Sequence, residues 1–151
     1  MIQKLLNLFR RSPKPEPITY FVFPSSYSRI DFPPNWSIIK HKKGESTFTF
    51  CNEKLHGILY ASELTNKDPK YEYSRNESIK INSEYSPELI NISRYGAVAY
   101  RKADEPANVA YKHFEIGFRQ TLLQFTWMTP YPDDEDLNKE IELILRSAEI
   151  R

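Results

Sequence analysis

The sequence is poor in cysteine and glycine, and each scarcity closes off a class of function. Among 151 residues there is one cysteine, Cys51. A lone cysteine forms no intrachain disulfide, which excludes the disulfide-rich secreted scaffolds. Beside Phe48 and Phe50 it reads as a strand residue rather than a nucleophile. The four glycines, Gly44, Gly57, Gly96 and Gly117, are scattered. They leave no glycine-rich phosphate loop and no Gly-x-Ser-x-Gly elbow. His41, His56 and His113 fall in separate elements without metal-ligand spacing, so no metal or cofactor is expected. A pairing of Cys51 with a histidine in space stays open, but no second signal supports it.

An excess of one charge is also missing. Lys and Arg total 21, Asp and Glu 20, for a net charge of +1. A nucleic-acid binder needs a basic excess on its binding face, so nucleic acid is not the expected partner. Two local groups, Lys40 with Lys42 and Lys43, and Arg10 with Arg11 and Lys14, read as solvated tips. No apolar run reaches the roughly 20 residues that cross a bilayer as a helix. Met1 to Arg11 lacks the order of a signal peptide, because Lys4 and Asn7 interrupt its apolar residues and the arginines follow them. A cytoplasmic protein is the expectation.

Aromatic residues are plentiful: ten Tyr, nine Phe and two Trp. A chain of this length can bury a core around them as one domain without disulfides or metal. Residues 1–17 stand apart. Ile2, Leu5, Leu6 and Phe9 recur at helical spacing, and the prolines of 12–17 make a stiff linker. Membrane contact through 2–11 is one reading of that segment; a short helix folded back on the domain is the simpler one. The single domain is expected over 18–151.

Within it, Ile30 and Phe32 alternate with Arg29 and Asp31, the period of a strand with one buried face. Pro33-Pro34 then forces a bend, and Trp36 and Ile38 resume a strand. Residues 41–44 read as a hairpin loop returning at Thr47–Cys51, and 57–61 as a short strand. Residues 62–77 are polar without period and read as a long exposed loop. Ser78–Ser83 reads as a strand with Ile79 and Ile81 inward, Leu89–Ser93 as either strand or helical turn, and Tyr95–Lys102 as a strand.

Residues 111–127 read as a β-hairpin turning at 117–120, with Phe114, Ile116 and Phe118 sharing one parity and Leu123, Phe125 and Trp127 another. Asp133, Asp134, Glu135 and Asp136 then open a helix, where negative charge suits the dipole and the free N–H groups. That capping role explains them better than a cation site, since the glycine of a Ca²⁺ loop is absent. Leu137, Ile141, Ile144, Leu145 and Ala148 form one apolar stripe. Antiparallel strands with one face covered by this closing helix make the fold class α+β, a twisted antiparallel sheet with helices packed on it.

The run Ile30-Asp31-Phe32-Pro33-Pro34-Asn35-Trp36, together with Leu122-Leu123-Gln124-Phe125-Thr126-Trp127 and the helix ending Ile144-Leu145-Arg146-Ser147, resembles the PsbP-like superfamily. That superfamily includes the Mog-type Ran-binding proteins and bacterial relatives of unknown function. The resemblance spans most of 18–150 and rests on core positions, so it carries over no functional residue. It implies non-enzymatic roles such as assembly factors, adaptors or chaperones, including chaperones for secreted toxins.

No catalytic constellation is visible. The expected function is therefore a non-enzymatic, protein-binding module: an adaptor, an immunity-type inhibitor or an effector chaperone. Tyr71, Tyr73, Tyr85 and Tyr95, in or beside the polar middle, are the candidate partner-binding residues, because a tyrosine offers apolar area and a polar tip with few rotors. Folding over the sheet as a lid is the alternative use for them. The alternative function is a small-molecule-binding or hydrolytic domain with a pocket between sheet and helices, which a deep pocket lined by polar groups converging near His113 would favour. Trp127 is assigned to the core. Trp127→Ala is therefore expected to lose roughly 3–5 kcal/mol of stability in urea unfolding; a wild-type melting temperature with lost partner binding would make it a surface anchor instead.

Overall fold

The structure is a computed structural model that describes residues 15–39, 46–52, 54, 57–104, 109–129 and 135–151. The expected helix at 2–11, the loop at 41–44, His41, His56, Asp133 and Asp134 lie outside the described residues. Among the described residues, ten strands run in order: β1 Glu16–Pro17, β2 Tyr20–Val22, β3 Arg29–Asp31, β4 Trp36–Ile39, β5 Thr47–Asn52, β6 Gly57–Thr65, β7 Glu88–Ile92, β8 Tyr95–Asp104, β9 Val109–Phe118 and β10 Thr121–Thr129. The helices are α1, Arg75–Ile81, and α2, Glu135–Arg146. Eight strands form one antiparallel sheet in the order β1-β4-β5-β6-β10-β9-β8-β7, and β2 and β3 form a separate hairpin. The fold is α+β. The sheet begins two residues before the expected domain start, because Glu16 and Pro17 pair with Ile38 and Ser37 at its edge. Proline is tolerated there because an edge strand has N–H positions that face no neighbour.

Strand parity divides the sheet into two unlike faces. On the closed face, the register sets Ala61 beside Phe125 and Phe125 beside Phe114, with Leu59 beside Trp127. The stripe of α2, Ile141, Ile144 and Leu145, joins these residues and Trp36 in one core, as expected. The β2–β3 hairpin covers the rest of this face. Tyr20 and Val22 point outward, while Phe21 and Phe23 turn inward, Phe21 reaching Phe48 at 4.7 Å and Phe23 reaching Phe125 at 6.4 Å between ring centroids. Carboxylates pin both covers. Glu140 on α2 accepts from Trp36 Nε1 at 2.5 Å and Asn52 Nδ2 at 3.0 Å. Glu63 on β6 accepts from the backbone N–H groups of Ser25 and Ser26 in the hairpin turn, at 2.6 and 3.0 Å.

Two sequence expectations fail in the middle of the chain. Ser62–Thr65 is not loop but the end of β6, paired with Thr121–Gln124. Ser78–Ser83 is not a strand. Its first residues belong to α1, and Ile81 is 78% exposed instead of inward. The cause is a cap: Ser74 Oγ accepts from the Glu77 N–H at 3.3 Å. Ser74-Arg75-Asn76-Glu77 is a capping-box sequence, and it outweighs the apparent two-residue alternation that follows. The ambiguous 89–93 stretch resolves as β7 and the two-residue turn at Ser93, whose φ of 55° suits a tight hairpin.

Trp127 is fully buried, and its indole lies where Gly57 has no side chain; a Cβ on Gly57 would collide with the Cη2 edge of the ring. Gly57→Ala is therefore expected to cost roughly 1–3 kcal/mol or more through overpacking. In a Trp127→Leu background the same change should cost clearly less, as a double-mutant cycle by urea unfolding would show. Equal costs in the two backgrounds would contradict this packing.

Candidate functional site

Among the described residues, the second face of the sheet is covered at only one end. After β6 the chain crosses the β9–β10 turn, where Gln120 Nε2 donates to the carbonyls of Asn66 and Asp68 at 3.1 and 2.9 Å. The Tyr73 N–H donates to the Arg119 carbonyl at 2.8 Å, which brings α1 onto β8 and β9. Two glycines make that approach possible. The Tyr73 ring occupies the space a side chain on Gly117 would fill, and Arg75 does the same over Gly96.

Among the described residues, the face stays open beyond α1. The register lines up Tyr100, His113, Thr126, Tyr60 and Thr49 as one row across five strands, and Val98, Glu115, Gln124, Ser62 and Thr47 as the next. These rows form a half-open cleft of about 180 Å³ lined by Thr47, Tyr60, Ser62, Tyr100, His113, Glu115, Gln124 and Thr126. Two other depressions are larger, about 320 Å³ between α2 and β7–β9 and about 390 Å³ at the sheet edge by Tyr85 and Arg101. The first is walled mainly by core residues such as Ile90, Phe114, Ile141 and Leu145, and the second straddles the edge of β8. Convergence of polar side chains, not size, makes the 180 Å³ cleft the candidate site.

At its α1 end sits Glu115, 8% exposed. Its carboxylate accepts from Ser78 Oγ in a short hydrogen bond, from the Tyr73 hydroxyl at 3.3 Å and from Gln124 Nε2 at 3.4 Å. All three donors are neutral. Burial, and secondarily the Glu115 charge, push the Tyr73 phenol up to about 12, while its contact with Ser78 works the other way. At the other side, His113 stacks on Tyr100 at 4.9 Å and shares a hydrogen bond with Thr126 Oγ1 at 3.0 Å. Tyr85 continues the stack on Tyr100 at 5.8 Å, and Lys102 Nζ lies 4.3 Å from the Tyr85 ring centre. The phenols of Tyr60 and Tyr100 are raised, mainly by burial.

The four tyrosines singled out in the sequence separate here. Tyr71 is exposed, and its N–H donates to the Asp68 carbonyl at 3.0 Å. Tyr73 and Tyr85 are half-buried and wall the α1 side, which is the lid role. Tyr95 is not a surface residue. It is 3% exposed, its ring meets Phe118, and its hydroxyl accepts from the Ile150 N–H at 2.9 Å. It lies on β8 with the closed-face parity and anchors the C-terminus instead of a partner. Tyr60, Glu115, Gln124 and Thr126 escaped the sequence reading as site residues. For Gln124 and Thr126 the signal was the polar parity of β10, facing away from Phe125 and Trp127; Tyr60 on β6 and Glu115 on β9 carried no such signal. Among the described residues, no three His, Cys, Asp or Glu side chains come together to hold a metal, and no helix is long and apolar enough to cross a membrane.

His113 titrates below the ordinary histidine value of 6.5; burial is the main cause, Lys102 adds to it and Glu115 opposes it. The folded state therefore prefers the neutral ring, and below about pH 6.5 the unfolded chain binds more protons. This contribution is complete above that pH and is lost as the pH falls toward the folded value. Unfolding free energy should decline between about pH 7 and 5, and His113→Gln should flatten part of the slope. An unchanged slope in that variant would contradict the assignment.

Neither a family model nor a curated protein sequence matches the chain. Two solved structures are similar to it. One is a protein of Bacteroides thetaiotaomicron VPI-5482, with a TM-score of 0.72 and 18% identity over 89% of this chain. This chain spans about half of that one, 48% of its length. The other is cyanobacterial PsbP (CyanoP) of Synechocystis sp. PCC 6803, with a TM-score of 0.57 and 14% identity over 87% of this chain and 91% of that one. At these identities the likeness concerns architecture. The eight-stranded antiparallel sheet with its closing helix is a PsbP-like fold.

Proposed function

We propose that the chain is a non-catalytic protein-binding module of the bacterial cytoplasm, and that its partner docks on the open half of the second sheet face. One observation carries the reading. That half presents the half-buried Tyr60 and Tyr100 with Ser62, Thr47 and Gln124 on a rigid floor, next to α1. Among the described residues no protein hydrogen bond engages the hydroxyls of Tyr60, Tyr100, Ser62 or Thr47. An adaptor, an immunity-type inhibitor or an effector chaperone each needs such a surface. Aromatic residues with polar tips suit it, since they bury apolar area while offering hydrogen bonds. Among the described residues no Lys or Arg lines the cleft, which favours protein over nucleic acid as the partner.

A second reading, a hydrolytic or small-molecule pocket, draws on the 3.0 Å contact between His113 Nδ1 and Thr126 Oγ1. A neutral imidazole beside a hydroxyl resembles a base and its nucleophile. Against it, the floor is a continuous ladder in which β10 pairs with both β6 and β9. Its backbone N–H groups already donate to neighbouring strands, leaving none aimed at a developing oxyanion.

Affinity capture from the native cell tests the proposal. The wild-type chain and Leu143→Arg, on the exposed side of α2, should capture the same protein, and Gln124→Arg on the open face should lose it. No captured protein, or equal capture by Gln124→Arg, would overturn the docking face. Hydrolysis of simple esters that disappears in Thr126→Val would establish the second reading instead.

A further inference from the structure

Across the cleft, β9 and β6 flank β10, so His113 and Tyr60 stand two strands apart with the short Thr126 between them. Strand spacing sets their backbones about 9.5 Å apart. Tyr100 backs His113 in a parallel stack, at 4.9 Å and 17°. The result is a slot with ring-bearing walls, a floor of Thr126, Gln124, Ser62 and Thr47, and the Glu115 carboxylate at its inner end. At about 180 Å³ it is smaller than the roughly 300–1,000 Å³ of ordinary small-molecule pockets, and its size suits the head of one side chain.

Charge then selects the side chain. Among the described residues that line the cleft, Glu115 is the one formally charged group, and its donors Ser78, Tyr73 and Gln124 are all neutral. Burial and the nearby Lys102 keep His113 uncharged at neutral pH, so it does not offset the carboxylate. The aromatic stack already accommodates a cation at its outer edge. Lys102 Nζ lies 4.3 Å from the Tyr85 ring centre and 5.7 Å from that of Tyr100. A buried carboxylate and aromatic faces together favour a flat, weakly hydrated cation that can stack and donate at once, which is guanidinium rather than ammonium.

We infer that the cleft receives an arginine side chain of the partner protein, with its guanidinium between Tyr60 and the His113–Tyr100 stack and donating to Glu115. This rests on the proposed docking face and names the chemistry the partner must present there. Arginine is enriched in interface cores and at hot spots, where one such side chain fills a desolvated pocket.

The test follows NMR spectra of the full chain during titration with Nα-acetyl-arginine amide, and with its neutral isostere Nα-acetyl-citrulline amide. The arginine probe should shift resonances of Tyr60, Tyr100, His113 and Gln124, and the citrulline probe should bind at least about tenfold more weakly, the loss of one charge-assisted contact. Glu115→Gln should weaken the arginine probe by a similar factor. Because Glu115 also anchors Ser78 and Tyr73, Ser62→Lys provides a second variant that introduces a cation without touching the carboxylate, and it should weaken binding too. Equal binding of citrulline, unaltered binding in both variants, or no shift up to the solubility limit of the probe would overturn the inference. The two proposals fail separately: partner capture lost in Gln124→Arg but intact in Glu115→Gln and Ser62→Lys would retain the docking face and remove the arginine.

Discussion

The architecture depends on one aromatic contact system, the burial of Trp127 between β6 and α2. Its ring takes the place of a side chain at Gly57 and lies 6.1 Å from Trp36, whose indole N–H is bound to Glu140 on the closing helix. Sheet centre, sheet edge and helix are thus tied through two tryptophans. Among the described residues, Trp127 Nε1 itself is a buried side-chain donor without a protein partner, a cost of roughly 1–3 kcal/mol that the surrounding packing offsets. Removing the ring would leave a cavity at the point where three elements meet, so the helix and the β4 end of the sheet depend on the same residue.

That packing commits one face of the sheet entirely to stability. The aromatic residues of β2, β4, β5 and β10 interlock there, and the C-terminus closes over them through Tyr95 and Thr121. The other face has far less to cover it. The seven residues of α1 and the turn after them reach only β8 and β9, with Tyr73 and Arg75 seated over glycines. What remains is a wall on one side and a polar floor on the other, held by backbone pairing that the floor's side chains do not have to support. A surface of that kind can change its side chains without endangering the fold, which is why binding is assigned to it.

Much of the fold was legible because it rests on hydrophobic periodicity. Ile30 and Phe32, Leu123, Phe125 and Trp127, and the α2 stripe all sit where alternation or helical spacing placed them, and the PsbP-like architecture rests on the same positions. The middle was misread for a local reason. Ile79 and Ile81 alternate as in a strand, yet the Ser74 cap starts a helix and leaves Ile81 in solvent. The site was less legible than the fold. Tyr73 and Tyr85 lie beside the candidate cleft, but Tyr95 carried no mark distinguishing it from them. Its burial follows from its parity on β8, which only the register with β9 reveals. Glu115 was invisible for a similar reason, since its donors come from residues 37, 42 and 9 positions away in sequence.

Alternate residues on β6 and β10 face opposite sides of the sheet, one set packing the core and the other lining the proposed docking face. Protein abundance and partner capture, measured together for substitutions along these two strands, separate the two roles. Changes at Leu59, Ala61, Leu123 and Phe125 should lower abundance, while changes at Tyr60, Ser62, Gln124 and Thr126 should preserve abundance and lower capture. Loss of abundance at both sets alike, or full capture throughout the second set, would contradict this division of roles.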